Sequence, residues 1–306
     1  MSSWAGHRGS HTGQTDQFVD QAGDREVRVV QALDRCQLDH VRRNDLRPPE
    51  QRLQQLEGRP PVKFDLLSIN TGAVPSAPYV DAVTVKPISA FLPKWQAIQA
   101  EIKAGDHLAI IGAGAGGVEL ALAARSTLPK AVQISLYGPT LLPGHNAKTI
   151  TTAQLVLAQR GITWINERVA GLSDSELYLS SGTSLEATHT LWVTHVQAPQ
   201  WIKSAGFATD SNGFLSVDAT LQSTSHPGVF AAGDIACLQD QPRPKAGVYA
   251  VRAGAVLADN LRRTLTQKRL RSYQAQSDYL ALLGDGHGKA IASRGTWSAY
   301  GRFWWF

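Results

Sequence analysis

Gly112, Gly114 and Gly117 stand in the spacing G-x-G-x-x-G, between the apolar run HLAIIG and the helix-forming run AGAGGVELALAARSTL. A strand that turns on glycine into a helix aims free N–H groups and the positive dipole end at one place, where a pyrophosphate can sit. The first glycine permits the tight turn, the second lets a phosphate reach the backbone, and the third lets helix pack on strand. A packing turn without ligand is the bland reading, and the strand-turn-helix-strand setting argues against it. No Lys-Ser/Thr follows, which removes the P-loop of kinases and ATPases. An acidic residue about 20 residues on would bond a ribose hydroxyl. Tyr137 and Gly138 occupy that place, no arginine stands beside them, and Lys148 is ten residues beyond Gly138. NADH and NADPH stay equally open.

GVFAAGDIA, Gly228 to Ala236, is a second signal: an apolar strand delivers Gly233 and Asp234 at its carboxyl end, where α/β sheets bind ligands. A carboxylate there accepts hydrogen bonds from sugar or ribityl hydroxyls, and an aspartate N-cap is the equally open alternative. Cys36 and Cys237 lie 201 positions apart without a C-x-x-C or His/Cys cluster. A disulfide scaffold and a thiolate zinc site are disfavoured, and no metal is expected. His189 and His195 share one face of an expected strand without carboxylate companions and are read as structural. Arg262, Arg263, Lys268, Arg269 and Arg271 suit a solvated helix end, with contact to anionic lipid or nucleic acid as the lesser alternative. Trp297, Tyr300, Phe303, Trp304, Trp305 and Phe306 leave an interface, a membrane-surface anchor and a core strand open.

Positioning these groups takes a βαβ frame, for which HLAIIG, the glycine helix and AVQISLYG have the pattern. Leu66 to Ile69 form a buried-strand run closed by the Thr71-Gly72 turn. FLPKWQAIQAEIKAGD predicts a helix with Gly105 as C-cap, and AGVYAVRAGAVLADNLRRTL a long one. From Gly161, ITWINERVAGL, ELYLSSGTSLEA and HTLWVTHV predict an antiparallel meander with a hairpin turn at Ser181-Gly182. KAIASRG predicts a last strand. The first sixty residues differ: nine arginines, no lysine, nine acidic residues and eight glutamines, with few regularly spaced apolar positions.

With 306 residues, 43% hydrophobic and 18% charged, the chain can bury cores for two domains, which excludes global disorder. Its 27 glycines and 15 prolines show no three-residue period, which excludes collagen. The net charge of +5 is spread along the chain, so no nucleic-acid partner is expected. Leu108 to Ala124 imitates a membrane span but carries Glu119 and falls short of the usual ~20 residues. MSSWAGHRGSHTGQ lacks an apolar export region, which makes the cytoplasm the default location.

FDLLSINTG (64–72), IIGAGAGGVELALA (110–123), GVFAAGDIA and PRPKAGVYAVRAGAVLADNLRR (242–263) together resemble the FAD-dependent pyridine nucleotide-disulfide oxidoreductase superfamily. The likeness is strongest to type II NADH dehydrogenase-like flavoproteins and, more narrowly, to the module fused to selenide, water dikinase. It implies an α/β fold with two Rossmann-like nucleotide-binding domains of three-layer ββα type, the flavin domain discontinuous and incomplete at its N-terminus. The boundaries expected are an irregular 1–60, a partial FAD-binding domain of 61–83 and 211–272, an NAD(P)-binding domain of 84–210, and an aromatic segment of 273–306.

The resemblance also implies roles. Gly112, Gly114, Gly117 and Tyr137 would hold NAD(P)H, with Glu119 catalytic on the nicotinamide side. Thr71, Gly72, Gly233, Asp234, Ala246, Gly247 and Val248 would bind FAD, with Asp234 on the ribityl chain and Lys245 catalytic on the flavin side. The implied function is an FAD-dependent NAD(P)H oxidoreductase passing a hydride to flavin and electrons on to a quinone or other acceptor. The alternative is a non-catalytic nucleotide-binding remnant docked on selenide, water dikinase. Peripheral contact with the inner face of the membrane is implied too. Three departures stand out: no glycine fingerprint in 1–60, His195 where the family's second A-T-G-like turn has glycine, and a family pattern that continues past Phe306. Without a redox cysteine pair the disulfide-reductase branch is excluded.

Overall fold

The computed structural model describes residues 64–306 apart from 77, 78, 80, 81, 195 and 306, and before them the backbone of four strands. Those are β1 (Thr15–Val19), β2 (Glu26–Ala32), β3 (Leu53–Leu56) and β4 (Arg59–Lys63). Next come β5 (Leu66–Ile69), β6 (Val74–Pro75), β7 (Val83–Thr84), α1 (Ile88–Glu101), β8 (His107–Ile111), α2 (Ala115–Thr127) and β9 (Gln133–Tyr137). They are followed by α3 (Ala147–Gln159), β10 (Ile162–Ile165), β11 (Val169–Ser173), β12 (Glu176–Leu179), β13 (Ser184–Glu186), β14 (His189–Trp192) and β15 (Val196–Gln197). The remainder is α4 (Trp201–Ser204), β16 (Leu215–Val217), β17 (Val229–Ala231), a 3-10 turn at Gly233–Ile235, β18 (Ala236–Leu238), α5 (Gly247–Leu265), β19 (Ala281–Gly284), β20 (Ala290–Arg294) and β21 (Trp297–Gly301).

Two compact units result, each discontinuous in sequence: the described residues of Met1–Val74 with Gln197–Gln276, and those of Pro75–Val196 with Ser277–Phe306. In the second unit an all-parallel sheet runs in the order β10-β9-β8-β14-β7. Parallel neighbours need crossover connections, and α2 and α3 supply those of β8 to β9 and β9 to β10. β8 is apolar on both faces, so successive residues bury on opposite sides. Leu108 and Ile110 join Val118, Ala121 and Leu122 of α2 in one core, whereas Ala109 and Ile111 join Tyr137, Leu177 and Trp192 in another. The second core is roofed by the antiparallel sheet β11-β12-β13, which completes a three-layer ββα stack.

The meander is shorter than its sequence pattern suggests. Ile162 and Leu191 bury in the helix-side core, which draws β10 and β14 into the parallel sheet and leaves β11–β13 as the meander. Gly182 (φ 90°) turns β12 toward β13 and donates its N–H to the Leu179 carbonyl at 3.0 Å. His107 was not singled out by sequence, yet its ring nitrogens contact the Glu186 carbonyl at 2.8 Å and the Ser135 hydroxyl at 2.9 Å. His189 lies half-buried in β14, and His195 lies outside the described residues.

In the first unit β5 pairs in parallel with both β2 and β17, and β1 flanks β2 antiparallel. Leu66, Leu67, Ile69 and Phe230 form a core with Ala253 and Leu257 of α5. Asn260, fully buried in α5, donates to the carbonyls of Thr220 and Arg271 at 2.8 Å each and accepts from the Arg271 N–H at 2.8 Å. Those bonds satisfy a polar group that would otherwise be costly to bury. Within the segment 1–60, β1, β2, β3 and the first two residues of β4 are strands; the rest, Cys36 included, lies outside the described residues.

The aromatic end of the chain forms the antiparallel sheet β19-β20-β21, whose Leu283 and Ile291 join the helix-side core of the second unit. Trp297 meets Trp304 edge-on at 4.9 Å, while Phe303 remains 79% exposed. The sheet is pinned by Asp285, whose side chain has no exposed surface. Its carboxylate accepts from the N–H groups of His287 and Lys289, from the Tyr300 hydroxyl at 2.8 Å and from Arg160 at 3.2 Å. Burial alone would raise this carboxyl, but those four donors outweigh it and hold it below its ordinary value. A depressed folded-state pKa stabilises the fold above the unfolded-state value and loses that stabilisation as pH falls through the folded one. Asp285→Asn is therefore expected to cost about 2 kcal/mol at neutral pH, with the difference from the parent shrinking below about pH 4, as measured by urea melts across pH.

Candidate functional site

At the carboxyl edge of the parallel sheet, β8 leaves through Gly112 at φ 121° and enters α2 at Ala115. A side chain at Gly112 would collide with the Val193 carbonyl group, its Cβ falling 2.9 Å from both atoms. At Gly117 a Cβ would fall 1.7 Å from the Gly112 oxygen, so helix and turn touch backbone to backbone. Gly114 is different: it is the extended N-cap of α2, and nothing lies within 4 Å of the place its Cβ would take. No side chain caps that helix, so its first N–H groups have neither an intrahelical nor a capping side-chain partner. The turn has the shape and polarity to receive a dinucleotide pyrophosphate.

Tyr137 ends β9, as expected, but its side chain does not line the turn. It is fully buried in the meander-side core, and burial pushes its hydroxyl up despite Ser135 pulling the other way. Only its carbonyl reaches the turn, accepting from the Gly112 N–H at 2.8 Å. Glu119 is half-buried on α2 and accepts from the Gly284 N–H at 3.0 Å, which ties the helix to β19. That bond joins residues 165 positions apart, and the sequence carries no signal for it.

The first unit brings the flavin-side candidates to one sheet edge. Because β5 and β17 run parallel, with Ile69 opposite Ala231, the segments after them emerge on the same side. One carries Thr71, whose hydroxyl is buried and unpaired, and Gly72 at φ 74°. The other carries Gly233 at φ 79° and Asp234, which open the 3-10 turn. A solvent-open cleft is lined here by Gly233, Asp234, Cys237, Lys245, Ala246 and Tyr249. Gly247 and Val248 begin α5, whose N-cap Ala246 offers no capping side chain, so the dipole end of a 19-residue helix remains available to an anion or ring carbonyl.

Lys245 reaches across this cleft, donating to the Ala236 carbonyl at 2.7 Å with its ammonium 3.8 Å from the Phe214 ring centroid. Burial pushes its pKa down, opposed by Cys237, Asp210 and Asp234. The Cys237 thiol is pushed up by burial and by Asp210, so it rests as the thiol. Sequence reasoning missed Asp210 and Phe214, which stand 24 and 20 residues before Asp234. These donor types suit the ribityl and ring half of FAD: a carboxylate for hydroxyls, a left-handed glycine for close approach and a helix N-terminus. Among the described residues no group of His, Cys, Asp and Glu could hold a metal, and no helix is long and apolar enough to cross a membrane.

A family model described as pyridine nucleotide-disulphide oxidoreductase matches residues 17–254. Ferroptosis suppressor protein 1 of Xenopus laevis is 26% identical over 240 residues, 71% of this chain and 61% of that protein. Oxidoreductase ptaL of Pestalotiopsis fici is 29% identical over 193 residues, 58% of this chain and 49% of that one. The chain thus spans about half to three fifths of the length of these curated relatives. Among solved structures, the sulfide:quinone oxidoreductase of Aquifex aeolicus superposes with a TM-score of 0.65 at 17% identity, covering 82% of this chain and 68% of that one. The NAD-dependent persulfide reductase of A. fulgidus gives 0.65 at 19%, covering 81% and 47%. Both share the Rossmann-like fold.

Proposed function

The chain belongs to the pyridine nucleotide-disulphide oxidoreductase family, whose members are FAD- and NAD(P)H-dependent oxidoreductases, and on that premise we propose that it is a flavin-dependent NAD(P)H oxidoreductase with a quinone-type acceptor. The observation that carries this reading is the open N-cap at Gly114 between two glycines that packing forbids to change. Bound FAD would accept the hydride of NAD(P)H and release two electrons, so that NAD(P)H, a proton and a quinone become NAD(P)⁺ and the quinol.

The protein's own part is binding and orientation. Gly112, Gly114, Gly117 and the α2 N-terminus hold the dinucleotide by its pyrophosphate. Thr71, Gly72, Gly233 and Asp234 hold the flavin's polyhydroxyl chain, and the α5 N-terminus at Ala246, Gly247 and Val248 favours negative charge on the flavin ring. Lys245, fixed to the Ala236 carbonyl, adds a cation to that cleft. In this reading Glu119 fixes α2 to the C-terminal sheet. A quinone acceptor is supported by the kinship with a protein named for sulfide:quinone oxidation, and an association with selenide, water dikinase by the sequence resemblance alone.

Full-length chain supplied with FAD is expected to bleach the flavin band near-stoichiometrically on anaerobic addition of NAD(P)H and to recover it on addition of a soluble ubiquinone analogue. A chain that binds flavin but is reduced by neither nucleotide would overturn the reading.

A further inference from the structure

We propose that the dinucleotide site takes NADPH as readily as NADH, because the position that would read the ribose is held to glycine by the turn it packs on. This rests on the nicotinamide site described above and names its cofactor class. Gly138 follows β9, where a carboxylate would bond the 2′-hydroxyl of NADH and repel the 2′-phosphate of NADPH. A Cβ at Gly138 would lie 2.8 Å from the Cβ of Ala113 and 2.9 Å from its backbone nitrogen, closer than real side chains approach.

Ala113 cannot retreat. It is the middle of the glycine turn, 4% exposed, and its carbonyl accepts from the Leu142 N–H at 2.8 Å. The preceding Gly112 is bonded to the Tyr137 carbonyl at 2.8 Å, which locks the turn to the end of β9. The backbone of Gly138 is itself engaged. Its N–H donates to the Ile165 carbonyl at 3.1 Å, and its carbonyl accepts from the Trp164 indole at 3.0 Å. A side chain able to read the ribose does not fit at this position.

The stretch of sequence around Gly138 supplies no acidic substitute. Between Glu119 and Glu167 the sequence has no acidic residue. Glu119 is engaged by Gly284, and Glu167, two residues after β10, accepts from the Ser181 N–H at 3.3 Å. The charges that follow Gly138 are basic: Lys148 stands exposed in the first turn of α3, whose N-cap is Asn146. An extra phosphate on the ribose therefore meets no like charge, and a bare hydroxyl meets no carboxylate that would favour it.

Titration calorimetry of the full chain with NADH and with NADPH tests this. Dissociation constants within tenfold of each other are expected. A preference greater than tenfold for either nucleotide overturns the inference while leaving the dinucleotide site intact, whereas failure of both to bind overturns the site itself. Pro139→Asp places a carboxylate at the next, exposed position. It is expected to weaken NADPH at least fivefold more than NADH, with circular dichroism confirming the fold; equal effects on both would show that the ribose is read elsewhere. Glu167→Gln is expected to leave the NADH-to-NADPH ratio unchanged, and a shifted ratio would assign discrimination to Glu167 instead.

Discussion

Gly117→Ala is expected to unfold the second unit, while Gly114→Val, three residues earlier in the same motif, is expected to keep the fold and lose the nucleotide. In an ordinary helix, glycine to alanine stabilises by about 0.5–1 kcal/mol. At Gly117 the sign reverses, because the new methyl would stand 1.7 Å from the Gly112 oxygen, well inside covalent-scale overlap. Relief would require α2 to move off β8, which opens the core of Val118, Ala121 and Leu122 and carries a cost above about 4–5 kcal/mol, a large share of a domain's stability. Gly114 has open space around its Cβ position and extended angles (φ −75°, ψ −178°) that any residue adopts. Valine there costs only the modest preference for a small N-cap, but its branches fill the space that a pyrophosphate must enter. Thermal melts and NADH titration separate the two: Gly117→Ala should lose the cooperative transition of this unit. Gly114→Val should melt within a few degrees of the parent and bind NADH at least tenfold more weakly, about 1.4 kcal/mol. Equal affinity for NADH in Gly114→Val would remove the assignment of this turn.

That contrast shows what the sequence could convey. Spacing identifies the glycines, and the strand before and the helix after them identify the turn, because both are local patterns read over a dozen residues. The division of labour among the three glycines depends on which atoms sit beyond each Cβ, and those belong to Val193 and to the far side of the turn. Gly138 carries the same lesson. In sequence it is a missing acidic residue; in the fold it is a position where a side chain will not fit beside Ala113. The meander illustrates a different limit. Apolar runs at Ile162–Ile165 and His189–Trp192 are short enough to suit a hairpin strand or a buried parallel strand, and only the pairing with β9 and β8 decides between them. Long-range polar ties, such as Glu119 to Gly284 or Asp285 to Arg160, leave no periodic trace.

Asp234→Ala is expected to weaken flavin binding by about 10- to 100-fold, the loss of a hydrogen bond to a charged group worth about 1.5–3 kcal/mol. The aspartate follows Gly233, whose left-handed backbone (φ 79°) turns the chain at the end of β17 and faces the cleft that Lys245, Ala246 and Tyr249 also line. Position alone does not say which part of FAD it meets, but a choice of ligands does. If Asp234 bonds the ribityl hydroxyls, riboflavin, which keeps those hydroxyls and lacks the ADP half, must lose affinity by the same factor as FAD. If the carboxylate instead meets the adenosine side, riboflavin binding is untouched while FAD binding falls. Flavin-fluorescence titrations of parent and Asp234→Ala with both ligands give the comparison, and the unliganded melts of the two proteins show whether the 3-10 turn itself has been disturbed. Equal losses for riboflavin and FAD are expected. Unchanged FAD affinity would take Asp234 out of the flavin site; the N-cap of the 3-10 turn is Ala232, so capping does not account for the aspartate either.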